Sequence, residues 1–257
     1  MVTGAGSGIG YETALGLAQE GAYVVVAGRR IAPLEAAVAE IVRRGGQARA
    51  LVVDLTQRAA LRDAVTTLAS EVGDIDILIN NAGATSEVRN VRWIEDADWD
   101  ATFEINMNAV FTLVQCVLPS MLKRGGGSII TVSSLAATRP NLLGGAPYGA
   151  AKAAVRNFMG YLHNTYRNEG IRATTILPGE VDTPIMDTRV RPPTAEERAA
   201  MASAVDIASA VVMCCTLSAR SVVEELIIAP TRLRDQGPDI EISRWLGAPP
   251  GVGPAKV

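Results

Sequence analysis

At 257 residues the chain is long enough to bury one substantial core. Hydrophobic residues make up 48% of it, which excludes a disordered polymer. A formal net charge of −3, a pI near 5.4 and only 4% aromatic residues leave neither a basic surface nor stacking platforms for nucleic acid.

Cys116, Cys214 and Cys215 are too few and too unevenly spaced for a disulfide framework or a zinc cluster, and no metal site is expected. No apolar run reaches the ~18 residues of a membrane span, and the glycine-rich opening leaves no room for a signal peptide. The expectation is a cytoplasmic protein with no membrane partner.

The chain opens MVTGAGSGIG, with glycines at 4, 6, 8 and 10, and YETALGLAQE follows at helical period. A strand, a glycine turn and a helix in succession aim free N–H groups and a positive dipole end at an anion. Glycine also lets the backbone approach a pyrophosphate without Cβ atoms in the way. Taken alone, such a stretch is also compatible with a plain linker. No GxxxxGK[ST] run is present, so a Walker-type ATPase is unsupported.

Apolar β-branched runs then alternate with helical segments. Strands are expected at 23–28 (YVVVAG), 48–53, 75–80, 128–133, 172–177 and 225–230, and helices at 10–19, 33–44, 57–72, 98–123, 148–169 and 205–217. Continuous apolar strands suit burial on both faces, so the fold class is α/β: one doubly wound parallel sheet with helices on both sides. Residues 1–234 read as a single dinucleotide-binding and catalytic domain. The polar, proline-bearing stretch 182–204 reads as a mobile loop with a short helix, and 235–257 as an irregular C-terminal tail.

Six motifs in this order resemble the short-chain dehydrogenase/reductase family. Thr3-Gly4-Ala5-Gly6-Ser7-Gly8-Ile9-Gly10 is similar to its TGxxxGxG cofactor motif, and Asn80-Asn81-Ala82-Gly83 to its NNAG motif. Asn106 matches its helix asparagine, Ser133-Ser134 the end of its serine-bearing strand, Tyr148 and Lys152 its YxxxK pair, and Pro178-Gly179 with Thr183 its PG motif. The resemblance implies a Rossmann fold, a nicotinamide cofactor and hydride transfer between it and a small alcohol or carbonyl substrate. It implies cofactor contacts from Thr3, Gly4, Ser7, Gly8, Ile9, Gly10, Asn81, Ala82, Gly83, Tyr148, Lys152, Pro178, Gly179, Val181 and Thr183. Asp54 resembles the residue that meets the adenine amino group. Lys152 would bind the nicotinamide ribose, and Asn106 would hold a proton-relay water. Ser134 stands fourteen residues before Tyr148, one more than the family's usual spacing, and is preferred over Ser133.

The chemistry is coherent without the family. Positions 148 and 152 share a helix face, so the lysine cation can approach the phenol and pull its pKa down from near ~10. Such a phenol can donate a proton to a developing alkoxide or take one from an alcohol, and Ser134 would hold the reacting oxygen. Gly28 stands where an NAD-preferring sequence carries an acid, and Arg29-Arg30 follow, which favours NADP over NAD because a guanidinium binds a 2′-phosphate.

The alternative is a non-catalytic dinucleotide sensor on the same fold. A serine hydrolase lacks its GxSxG elbow, and the single histidine, His163, suits packing or the surface. Only two apolar residues, Met1 and Val2, precede the Thr3-Gly4 motif, so the natural chain is expected to begin further upstream. Two long apolar helices, 97–123 and 147–169, imply a homodimer or homotetramer through the family's four-helix pairing. Met186, Met201 and Leu142-Leu143 are expected along an apolar substrate pocket.

Overall fold

The computed structural model describes residues 1–253, Thr188 by its backbone alone. The short strand β1 (Val2–Thr3) lies in the interior of a seven-stranded sheet that is parallel throughout, in the order β3-β2-β1-β4-β5-β6-β9. The other strands are β2 (Tyr23–Gly28), β3 (Gln47–Val52), β4 (Ile77–Asn80), β5 (Gly127–Val132), β6 (Ile171–Pro178) and β9 (Glu225–Ile228). A separate two-stranded pair, β7 (Val181–Asp182) with β8 (Ala202–Ser203), ties down the polar segment after β6.

Alternate residues of each strand enter opposite cores. Val24 and Val26 pack with Leu15, Ala37, Ile41, Ile207 and Val211 from α1 (Gly8–Gln19), α2 (Ile31–Arg43) and α8 (Ala204–Thr216). Val25 and Ala27 face the other way, toward Leu61, Val65, Leu113, Val117 and Val155. These come from α3 (Arg58–Val72), α5 (Ala109–Arg124) and α6 (Ala146–Tyr166). Strands buried on both faces must read as unbroken apolar runs, so every large strand expected from sequence is present within a residue or two. Between β1 and β4 the order of the sheet reverses, which opens a crevice at the strands' carboxyl ends.

The helix expected at 98–123 is a longer run. Helix α4 (Asp96–Phe103) joins α5 through a π turn over Glu104–Asn108. The combined run Asp96–Arg124 is long and apolar enough, by length and composition, to cross a membrane, where sequence reading expected no such stretch. Here its apolar side, with Val110, Leu113, Val117 and Met121, is buried in the core.

Two segments differ from expectation. The stretch 182–204 carries a 3-10 turn (Pro184–Thr188) and α7 (Ala195–Ala199), which has a full capping box from Thr194 and Glu197. The tail read as irregular contains α9 (Gly237–Trp245), while residues 254–257 lie outside the described chain. Helix α9 is too short and polar to announce itself, and ion pairs hold it instead. Asp239, 5% exposed, accepts from Arg191 Nη2 at 2.9 Å and Arg234 Nη1 at 2.5 Å. Burial pushes its carboxyl up, but these hydrogen bonds outweigh that and hold it below the usual range.

A carboxylate held low contributes stability above its ordinary pKa and loses it as pH falls through the depressed value. Replacing Asp239 with Asn leaves two guanidinium groups short of a counter-charge and is expected to cost about 3 kcal/mol. Differential scanning fluorimetry should show the lower melting temperature, and trypsin should cut at Arg234 or Arg244 earlier than in the unaltered protein.

Candidate active site

The glycine turn is held from below. Thr3, fully buried, donates through Oγ1 to Ile79 O (3.2 Å) and accepts from the backbone N–H of Asn81 (3.0 Å) and Ala82 (3.1 Å). Asn81 Nδ2 returns a bond to Thr3 O at 3.0 Å. The ends of β1 and β4 are thereby cross-linked at the point where the sheet order reverses. Gly10 must lack a side chain because a Cβ there would stand 2.5 Å from Gly4 O. Gly4 and Gly8 take φ of +65° and +55°, a region unfavourable to residues with a Cβ. Ser7 caps α1 without a side-chain bond, so the first-turn N–H groups of Gly8 and Ile9, both of which line the crevice, are left as donors.

The crevice is a cavity of about 600 Å³. Gly4, Ser7, Gly8 and Ile9 line its floor, with Ala82 and Gly83 after β4. Pro178, Gly179, Val181 and Thr183 line the side opened by β6, and Asn81 also reaches the wall. Gly28, Arg29 and Arg30 form one end, and Ser134, Tyr148 and Lys152 the other. Thr3, Gly10, Asp54 and Asn106 do not line it. Thr3 and Gly10 shape the turn, and the Asp54 carboxylate accepts from Thr56 N (3.0 Å) and Oγ1 (2.8 Å), which holds its pKa down. Asp54 sits between Val53 and Leu55, both of which do line the cavity. Of the residues expected along an apolar pocket, Met186 is there; Met201, Leu142 and Leu143 are not. Ile105 and Ile185 were missed because single apolar residues in mixed segments carry no periodic signal.

At the catalytic end, α6 docks on β5 through reciprocal bonds. Ser133 Oγ donates to Lys152 O at 2.9 Å, and Lys152 Nζ donates to Val132 O at 2.9 Å. Both neighbouring serines line the cavity, but their hydroxyls have different partners: Ser133 is buried with its Oγ committed to the Lys152 carbonyl, while Ser134 stands as a hydrogen-bond partner of the Tyr148 phenol. Lys152 Nζ sits 5.5 Å from the centre of the Tyr148 ring. Burial of that ammonium lowers its pKa to about 8.

The phenol behaves differently from the sequence expectation. Burial raises the Tyr148 pKa, and Ser134 and the more distant Arg189 oppose that rise without reversing it. Tyr148 is therefore a phenol at neutral pH, in its proton-donating form. Asn106 lies within the π turn, its Nδ2 donating to Ala84 O (2.7 Å) and Thr102 O (2.8 Å), while its buried Oδ1 has no partner among the described residues. A Cβ on Gly83 would stand 2.7 Å from that Oδ1 and 3.3 Å from Lys152 Nζ, so Gly83 keeps a path open between asparagine and lysine. An orphaned acceptor beside a buried cation is a site for a bound water.

The family model described as short chain dehydrogenase matches residues 1–193. The chain belongs to that family. It is 36% identical over 187 residues to a 3-oxoacyl-acyl-carrier-protein reductase of Thermotoga maritima, covering 73% of this chain and 75% of that one. It is likewise 36% identical over 181 residues to a gluconate 5-dehydrogenase of Gluconobacter oxydans, covering 70% and 69%. Among solved structures, the closed form of a serine dehydrogenase complexed with NADP+ superposes with a TM-score of 0.82 at 29% identity, over 92% of this chain and 96% of that one. The protein is an oxidoreductase of this family.

The buried ammonium separates function from stability. Below pH 8 Lys152 is held as a cation away from water, and the penalty fades only as pH rises from 8 toward its ordinary 10.5. That penalty is about 3 kcal/mol at neutral pH, partly offset by the bond to Val132 O. Lys152→Met is therefore expected to melt a few degrees higher at pH 7 while losing turnover, and its thermal advantage should shrink at pH 10. Melting curves at the two pH values check the sign.

Proposed function

We propose that the protein interconverts a small carbonyl compound and the corresponding alcohol with NADP(H), using Tyr148 as the general acid and base. NADP(H), when bound, supplies or accepts the hydride. The single observation that carries the reading is the convergence of Tyr148, Lys152 and Ser134 at one end of a cavity whose floor is the glycine turn.

In reduction, Tyr148 Oη donates its proton to the developing alkoxide, and Ser134 Oγ holds the reacting oxygen. Lys152 stabilises the phenolate left behind and binds the ribose hydroxyls. Protons return to the phenol along the path from Lys152 to a water held by Asn106 Oδ1. In the oxidative direction the same phenol must first lose its proton, so oxidation gains with rising pH. Reduction is favoured at neutral pH and declines above about pH 8, where Lys152 loses its charge.

The glycine turn and the first-turn N–H groups of α1 suit a pyrophosphate, with Asn81, Ala82, Gly83, Pro178, Gly179, Val181 and Thr183 as the remaining wall. Thr3 and Gly10 act by fixing that turn, and Asp54 by holding the loop at the adenine end. Arg29 and Arg30 are exposed at that end and, among the described residues, form no ion pair. Two free guanidinium groups with no carboxylate on Gly28 suit the 2′-phosphate of NADP, and several structural neighbours are described as NADP complexes.

The test has two arms. Tyr148→Phe should lower kcat at least about a hundredfold while NADPH still binds by fluorescence titration. A double Arg29→Ala, Arg30→Ala variant should raise the KM for NADPH about tenfold or more and leave that for NADH nearly unchanged. Unimpaired turnover by the phenylalanine variant would sink the mechanism.

We also infer self-association through α5 and α6. Phe111, 36% exposed, meets Phe158 edge-on at 6.1 Å; Phe158 stacks on Tyr161, 55% exposed, at 6.4 Å; and Tyr161 meets Tyr166 at 6.4 Å. A continuous aromatic strip facing outward is an interface signature. Sedimentation velocity should show a dimer or tetramer, and Tyr161→Arg should shift it toward monomer.

A further inference from the structure

One side of the cavity is a strip of consecutive residues. Thr183, Pro184, Ile185 and Met186, immediately after β7, all line it. At its near end the strip lies against the glycine turn: a Cβ on Gly8 would stand 3.2 Å from Thr183 Cγ2 and 3.8 Å from Pro184 Cδ. At its far end Met186 is buried, and its backbone N–H bonds back to Thr183 O at 2.9 Å.

A carboxylate flanks the strip on each side, Asp182 before it and Asp187 after it. One guanidinium holds both. Arg198 Nη1 donates to Asp182 Oδ1 at 2.6 Å, and Arg198 Nη2 donates to Asp187 Oδ1. Among the described residues neither carboxylate forms another ion pair. Arg198 stands on α7, which the Thr194 capping box fixes, and its carbonyl accepts from Met201 N at 3.0 Å. The base of the same loop is closed by β7 on β8, where Asp182 pairs with Ser203. The strip is therefore tied at both ends to a single side chain, and the reaction above gives that side chain no part.

We propose that Arg198 is a positioning residue for the oxidoreductase: its bridge from Asp182 to Asp187 fixes the strip 183–186 over the cofactor turn. The proposal rests on the oxidoreductase reading given above. Arg198 does not line the cavity and acts through the strip. An isolated exposed ion pair contributes little, but here two carboxylates share one cation. Removing it breaks two pairs at once and leaves two like charges at the ends of a short strip, where they repel. The planar fork of a guanidinium serves both carboxylates together, which the point charge of an ammonium does less well.

The experiment compares Arg198→Met with the unaltered protein by hydrogen exchange without cofactor and by NADPH fluorescence titration. Backbone exchange over 183–187 should quicken about fivefold or more, while that of β5 and α6 stays unchanged. The Kd for NADPH should rise by a similar factor. Adding Asp182→Asn and Asp187→Asn to Arg198→Met removes the repulsion and should recover part of both losses, and Arg198→Lys should fall between the variant and the unaltered protein. In the unaltered protein, raising KCl from about 0.05 M to about 1 M should also quicken exchange over 183–187, because salt screens the bridge. That arm decides alone should Arg198→Met fail to fold. Unchanged exchange over 183–187, an unchanged Kd, or a triple variant no better than Arg198→Met would overturn the proposal. An unaltered protein that never binds NADPH would instead strike the oxidoreductase reading, and this inference with it.

Discussion

The site depends on a cation held where water cannot reach it. Lys152 Nζ is fixed by the last carbonyl of β5, Val132 O, while the next residue's hydroxyl, Ser133 Oγ, grips the lysine's own carbonyl. This reciprocal pair sets the depth and rotation of α6 against the sheet, and with it the position of Tyr148 one turn earlier. It also leaves Ser134, the next residue along, at the cavity wall with its hydroxyl beside the Tyr148 phenol. The same burial that weakens the ammonium's hold on its proton keeps the phenol protonated, so one desolvated corner sets both titrating groups.

The other end of the cavity is a problem in close approach. Thr3 and Asn81 join the tips of β1 and β4, and the turn between β1 and α1 then has to pass over them at backbone distance. Gly4 and Gly8 take left-handed backbone conformations, and Gly10 leaves space for Gly4 O. Sequence could reveal this because only glycine satisfies both demands. The same constraint explains why Thr3 and Gly10 matter without lining the cavity.

Much of the architecture was legible because both faces of the sheet are covered, which forces the strands into unbroken apolar runs. The order of the motifs placed Tyr148, Lys152 and the glycine turn together. What sequence could not supply was direction. It preferred Ser134 over Ser133 by spacing alone, and the partners of the two hydroxyls, the Lys152 carbonyl for Ser133 and the Tyr148 phenol for Ser134, are what the structure adds. It expected the lysine to pull the phenol's pKa down, whereas the cation stands at the ring's face, 5.5 Å from its centre, and burial prevails. Helix α9 escaped notice for a related reason: it is held by charges on Asp239, from Arg234 just before the helix and from Arg191 forty-eight residues earlier, and not by an apolar stripe.

Those charges give the C-terminal segment a place in the site's architecture. Glu180, two residues past Pro178, accepts from Arg189, Arg234 and Gln236, and Asp239 accepts from Arg191 and Arg234. Arg189 and Arg191 belong to the segment that contributes Met186 to the cavity; Arg234 and Asp239 belong to the chain after β9. From the far side, Asn90 Nδ2 and Trp93 Nε1 both donate to Arg244 O, at 2.8 and 3.0 Å, which joins α9 to the loop following Gly83. One short helix therefore clamps the two loops that flank the catalytic end. Buried ion pairs are a weak source of net stability but a strong source of unique geometry, because each alternative arrangement strands a charge. A cavity that must present a phenol and a cofactor to a small molecule needs walls fixed in just this way.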